Sequence, residues 1–200
     1  IDRALSRPAD DPLYVAAICA PTNVASALLI EPRIAAHIVV VWLGGNDLNF
    51  PTAREFNLYQ DIHASRVLLD SGVPLVLVPC QNVASHLITT VHELRACIGG
   101  KNALCDALVS LVDGYAPSHF GWAKVLWDVA VIAYLARPAY TDSRIVPSPL
   151  LTDDLRWAFD SSRHPIRVVT RLNRNAIFRD MLGRFAAVDN CRDRKSGSAG

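Results

Sequence analysis

The chain has 200 residues, of which 51% are hydrophobic, 20% charged and 8% aromatic. That excludes a disordered chain, a collagen-like repeat and a coiled coil. Twenty basic residues against nineteen acidic leave a net charge of +1, so bulk charge gives no sign of a polyanion-binding surface. A chain of this size can bury roughly 70% of its unfolded surface, enough for a real core. No apolar stretch is long enough to cross a bilayer, and no signal peptide is visible, which fits a cytoplasmic setting. The five cysteines form no CxxC pair and read as reduced, small core residues.

Along the chain, Leu13–Cys19 is an apolar run without polar alternation, as expected for a strand buried on both faces. Thr22 or Asn23 can cap the helical stretch that follows through Leu29, and Pro32 lies just past it. Ile38–Leu43 is a second continuous apolar strand, ended by Gly44-Gly45. A polar loop covers Asn46 to Asn57, and a helix is expected over Ile62–Leu69, stopped by Ser71-Gly72. Leu75–Val78 reads as a third buried strand. Helices are expected near Val83–Cys97, Ala103–Tyr115 and Val125–Ala136. A late strand spans Ile166–Leu172, and Asn175 is placed to cap a last helix through Phe185. Arg163 to Arg179 holds five arginines and reads as a solvated edge strand and helix rather than a nucleic-acid site. The tail from Arg192 is charged and small, expected to be disordered.

Strands alternating with helices imply βαβ units: an α/β fold with a largely parallel central sheet flanked by helices. One domain is expected over residues 1–190, with a tail at 191–200. Such sheets place ligands outside the carboxyl ends of their strands. Three loops lie there: Cys19–Asn23, Gly44–Asn57 and Pro79–Asn82.

The richest is GGNDLNFPTAREFNLYQD, residues 44–61. Carboxamides and a carboxylate at a strand's end suit a ligand rich in hydroxyls, because Asn both donates and accepts while Glu accepts twice. On composition alone, a turn-rich loop capping the next helix is the better reading. Asp128, after Trp127, heads an apolar helix, so a buried carboxylate there needs a partner. An N-terminal helix carboxylate favoured by the dipole explains it equally simply. The six histidines are scattered, and no GxGxxG, Walker or GxSxG motif is present.

Taken together, PTNVASALLIEPRIAAHIVVVWLGGNDLNFPTAREFNLYQDIHAS resembles the inosine–uridine preferring nucleoside hydrolases, whose segments run "LTNIALAL", "IV.MGG" and "AEFN…DPEAA". Glu55-Phe56-Asn57 with Asp61, Asn49 eight residues before Asn57, and Trp127-Asp128 before an apolar helix carry the likeness. The resemblance implies hydrolysis of the N-glycosidic bond of ribonucleosides by a water activated on Ca²⁺. It implies that Asn49, Glu55 and Asn57 hold the ribose and that Leu43 lines the pocket. Asp128 and the backbone carbonyl of Ile18 would contribute to the metal. Trp127 replaces the more usual His, as in the purine-preferring branch, where an aromatic ring stacks on the base. The N-terminal DxDxxxDD of the family, source of most calcium ligands and of the catalytic base, has no counterpart here. The likeness is therefore to the carboxyl two-thirds of a hydrolase: its partner is a small nucleoside, not a nucleic acid or membrane, and the complete form is a homo-oligomer. Little activity, and an exposed, sticky leading sheet edge, are expected of the chain alone. A non-catalytic nucleoside- or sugar-binding module is the alternative.

Overall fold

The computed structural model describes residues 1–8 and 10–188. The expected tail at 191–200, and Cys191 within it, lie outside the described residues. The chain divides into two compact units, Ile1–Leu87 with Leu126–Asn173, and Ile88–Val125 with the chain from Arg174 onward.

The first unit is built on a five-stranded sheet of order β1-β2-β3-β9-β6, with β1 Leu13–Ala17, β2 Ile38–Leu43, β3 Leu75–Val78, β6 Thr141–Pro147 and β9 Pro165–Leu172. The first four of these are mutually parallel, and β6 runs antiparallel to β9 at the edge. The β-branched run Ile38-Val39-Val40-Val41 suits a pleated strand covered on both sides. Ile38, Val40 and Trp42 enter a core cluster with Leu68, Leu69, Leu77, Ile166 and Val168, while Val41 and Leu43 are buried on the opposite face. Burial of such side chains stabilises by roughly 1.5–3 kcal/mol each. Helices α1 (Asp2–Leu5), α2 (Thr22–Ile30), α3 (Phe56–Gln60), α4 (Ile62–Asp70) and α7 (Val129–Ala136) complete the unit, with a hairpin of β7 (Leu150–Leu151) and β8 (Trp157–Ala158).

The expected alternation is present, but several details differ. β1 is not buried on both faces: it is an edge strand, and Tyr14 is 57% exposed. An apolar run by itself does not say how many neighbours a strand has. β9 is not an edge strand, because β3 and β6 flank it. The side chain of Arg163 is taken up by Asp70 and the carbonyls of Leu69 and Ser148. Neither Thr22 nor Asn23 caps α2, which starts at Thr22 with Pro21 before it.

The Thr22 hydroxyl donates instead to Asp61, at 2.6 Å, and Asp61 also accepts the Ala64 N–H, capping α4. These two hydrogen bonds, the Thr22 one foremost, hold the Asp61 carboxyl below its ordinary 3.8. The unfolded chain then takes up the proton first as pH falls, so stability is full above about pH 4 and declines as pH drops through the lowered folded value. Thr22→Val is expected to shrink that decline. Urea midpoints measured from pH 5 to pH 2 that decline equally in both proteins would contradict this.

The helix expected over Val83–Cys97 is broken, and the second unit takes up the chain at Ile88. Asn82 adopts a left-handed φ of 66°, a 3-10 turn covers Ala84–His86, and β4 (Ile88–Thr89) pairs antiparallel with β5 (Lys124–Val125). Only then does α5 (Val91–Ile98) begin, capped by the Thr90 hydroxyl on Glu93 N. Pairing takes Val125 as well, so α7 starts at Val129 rather than Val125. Asn102 caps α6 (Ala103–Asp113), and its amide donates to the carbonyls of Phe185 and Val188 around the end of α8 (Arg174–Ala186). Asn175 lies inside α8 rather than capping it. Cys80 and Cys105 are buried as expected, but Cys19 and Cys97 are exposed. Among the described residues no helix is long and apolar enough to cross a membrane.

Candidate functional site

The parallel strands end together. Ala17 pairs with Trp42, and Leu43 with Val78, so the loops after β1, β2 and β3 emerge at one level. Hydrogen bonds then tie these loops to one another. Trp42 Nε1 donates to Cys19 O at 3.1 Å, Cys80 N to Gly45 O at 2.8 Å, and Asp47 N to Gln81 O at 3.3 Å. The three segments singled out by the strand-end rule are thus one connected structure.

The Gly44-Gly45 turn is boxed by two indoles. Trp42 is fully buried, and a Cβ on Gly44 would lie 2.2 Å from its Cε2. Gly45 has φ +64°, and a Cβ there would lie 2.6 Å from Cζ2 of Trp157. Trp157 Nε1 in turn donates to Asn46 O at 3.0 Å. The Asn46 amide donates to the carbonyls of Thr52 and Arg54 and accepts from Gln81 N. Asn46 is consumed in shaping the loop.

Glu55 caps α3. Its carboxylate accepts from Asn57 N at 3.0 Å and Leu58 N at 3.2 Å, and reaches back to Gly45 N at 2.9 Å. Asn57 is buried and donates from Nδ2 to Leu43 O at 2.9 Å. Leu43 itself is 1% exposed, so what it offers this cluster is its carbonyl. Glu55, Asn57 and Leu43 are therefore joined by direct bonds. Asn49 is exposed at the loop's apex, where its N–H donates to Asp47 at 2.9 Å. Ile18 follows directly on β1, with its side chain half exposed.

Trp127 is partly buried and Asp128 exposed at the head of α7. The expectation of a buried Asp128 is corrected, because it is exposed at the head of α7. Burial pushes the Cys80 thiol far above its ordinary range, and the Glu55 and Asp128 charges add to this. As a cysteine in an apolar stretch it read as plain core; its position in the Pro79–Asn82 loop was the available signal.

Calcium takes six to eight oxygen ligands. Among the described residues no three His, Cys, Asp or Glu side chains gather to hold an ion. Asp128 and the Ile18 carbonyl fall well short of such a shell, and no catalytic step is routed through a metal here.

A mostly parallel α/β sheet with its polar cluster outside the strand carboxyl ends has the architecture in which ligands are commonly placed at that edge. The chain belongs to the inosine-uridine preferring nucleoside hydrolase family, whose model matches residues 1–189. It is 28% identical over 142 residues to a pyrimidine-specific ribonucleoside hydrolase RihA of Enterobacter sp. (strain 638), covering 66% of this chain and 44% of that protein. It is 24% identical over 191 residues to a probable ribonucleoside hydrolase of Dictyostelium discoideum, covering 85% and 55%. Its fold matches a purine-preferring ribonucleoside hydrolase from Gardnerella vaginalis with a TM-score of 0.74 at 20% identity, covering 92% of this chain and 63% of that one. It also matches the plant nucleoside hydrolase PpNRh1 with a TM-score of 0.76 at 18% identity, covering 94% and 65%. The chain spans about half the length of the curated relatives it matches.

Proposed function

We propose that this chain carries the ribose- and base-holding part of a ribonucleoside hydrolase that cleaves the N-glycosidic bond to base and ribose, and that it has little or no turnover alone. The supporting observation is the locked cluster Glu55–Gly45–Asn57–Leu43 at the strand ends. Asn49, Glu55 and Asn57 bind the sugar hydroxyls, each as acceptor, the two asparagines also as donors. A carboxylate fixed by backbone N–H groups needs no reorganisation to meet positive charge developing on the sugar in an oxocarbenium-like transition state. Fixing the sugar also orients its anomeric carbon for attack.

Asp128 and the Ile18 carbonyl would be the two oxygens this chain contributes to a calcium ion in the complete protein, where the metal would supply water activation. Trp127 stacks on the base with its large π face, which favours purines; Leu43 backs the pocket. The relatives include both a pyrimidine-specific and a purine-preferring protein. The complete enzyme acts on free nucleosides in the cytoplasm as a homo-oligomer.

A non-catalytic nucleoside-binding module is the second reading, favoured by the lack of a three-ligand metal cluster among the described residues. Inosine, guanosine, uridine and cytidine are assayed with the chain and with one extended upstream by the family's acidic DxDxxxDD segment. Hydrolysis only by the extended chain, with inosine and guanosine ahead, is the expected result. Brisk turnover by the short chain refutes the need for that segment. An inactive extended chain that binds inosine equally well with chelator establishes the binding module instead.

A further inference from the structure

Between β6 and β9 the chain leaves the main sheet and makes the β7–β8 hairpin, closed at its base by Ser148 N donating to His164 O at 2.8 Å. This hairpin meets the Gly44–Glu55 loop at two points. At the loop's start, Trp157 Nε1 donates to Asn46 O at 3.0 Å, and its ring lies against Gly45. At the loop's end, Leu155 O accepts the Ala53 N–H at 2.7 Å and the Thr52 hydroxyl at 3.1 Å. Leu155 does so with a left-handed φ of 57°, a conformation rare for a residue other than glycine. Such a backbone persists only where its surroundings impose it. Here the Leu155 side chain is 6% exposed, in one apolar cluster with Leu48, Ala53 and Leu58, and its N–H donates to Thr152 O at 3.1 Å. The hairpin is also fixed to α4, where Arg66 donates to Leu151 O at 3.1 Å and pairs with Asp153 at 2.6 Å.

We propose that the β7–β8 hairpin clamps the sugar-binding loop, with Trp157 and Leu155 as positioning residues: by holding Asn46 and Ala53 they fix the arc that carries Asn49 at its apex and delivers Glu55 just past its end. This deepens the ribonucleoside reading and rests on it. The Asn46 amide braces the arc internally through the Thr52 and Arg54 carbonyls, but those bonds close the loop on itself. The start of the arc is tied to the β3 loop through Gln81, and its end is held from outside by Leu155 O. An arc free to sample other shapes would have to be ordered by the ligand, at a cost in affinity.

The test uses the 200-residue chain with inosine as the probe. Trp157→Phe keeps a ring against Gly45 and removes the indole N–H; Thr52→Val removes the hydroxyl donor to Leu155 O, and Thr52→Ser restores it. In calorimetric titration, Trp157→Phe and Thr52→Val are expected to bind inosine about tenfold more weakly, and Thr52→Ser within about threefold of the parent. Gly72→Ala, outside the loop, loses stability but keeps the parent's affinity. In an Asn49→Ala background the Trp157→Phe loss shrinks to about threefold or less, because the arc no longer presents that side chain. By hydrogen exchange, the Phe50 and Ala53 amides exchange about tenfold faster in Trp157→Phe, while the Val40 amide in β2 is unchanged. Parent-like exchange at Ala53, or parent-like affinity in both Trp157→Phe and Thr52→Val, overturns the clamp and leaves the ribonucleoside reading standing. Binding by Gly72→Ala as weak as by Trp157→Phe, or an undiminished loss in the Asn49→Ala background, makes the hairpin merely structural and overturns the positioning role. A parent chain that binds no inosine, with Ala53 exchange still quickened in Trp157→Phe, overturns the ribonucleoside reading itself, and the positioning role with it.

Discussion

Gly44→Ala is expected to cost about 3 kcal/mol or more, at the upper end of what overpacking a core does. The added methyl would overlap the Trp42 ring at 2.2 Å, and that ring has nowhere to go: it is fully buried and anchored by its bond to Cys19 O. Gly45→Ala adds a different penalty, a left-handed backbone costing about 1–2 kcal/mol, together with contact against Trp157. Gly72→Ala is the control. Gly72 also has a left-handed φ, of +74°, but open space around it, so only the backbone penalty of about 1–2 kcal/mol applies. Urea unfolding should rank Gly44→Ala as the most damaging. A Gly44→Ala protein no less stable than Gly72→Ala would mean that the Trp42–Gly44 contact does not shape the turn.

Glu55→Ala is expected to lose about 3 kcal/mol and all measurable nucleoside binding. Two consequences add. The cap of α3 disappears, worth about 1 kcal/mol. Gly45 N–H loses its acceptor inside the protein, at about 1–3 kcal/mol for an unsatisfied buried group. The sum falls below the full total because water can enter beside a half-buried residue. Glu55→Gln keeps one acceptor oxygen and should lose less stability. Asp128→Asn offers the contrast: at an exposed position, it should leave the unfolding free energy within about 0.5 kcal/mol of the parent while abolishing turnover in the chain extended upstream. Loss of stability in Asp128→Asn comparable to that in Glu55→Ala would place Asp128 in the fold rather than in the function.

Local patterning made much of this molecule legible. The continuous apolar runs at Ile38–Leu43 and Leu75–Val78 have the bounds of β2 and β3, because strands covered on both faces leave no polar interruption to misread. Alternation of such runs with helices gave the parallel α/β class, and EFN after Gly-Gly gave the family. Short strands were not legible. β4 and β5 are two residues each and exist only because they pair across a gap of thirty-odd residues, so nothing local distinguishes Ile88-Thr89 from the helix it interrupts. β6 was missed for a related reason: its alternation of Thr141, Ser143 and Ile145 with charged Asp142 and Arg144 suits a half-exposed edge and resembles a loop.

The sequence alone therefore determined the four parallel strands of the main sheet and singled out the polar loop after β2 as the candidate site, since these follow from hydrophobic periodicity and residue type. Only the tertiary structure decided which of the candidate side chains share a point in space. Trp42 sets the Gly44 turn, Asn46 is spent on the loop, and Cys80 N–H meets Gly45 O because strands distant in the chain end at the same level. Hydrogen bonds between such loops depend on strand register, a long-range property that no window of local sequence contains.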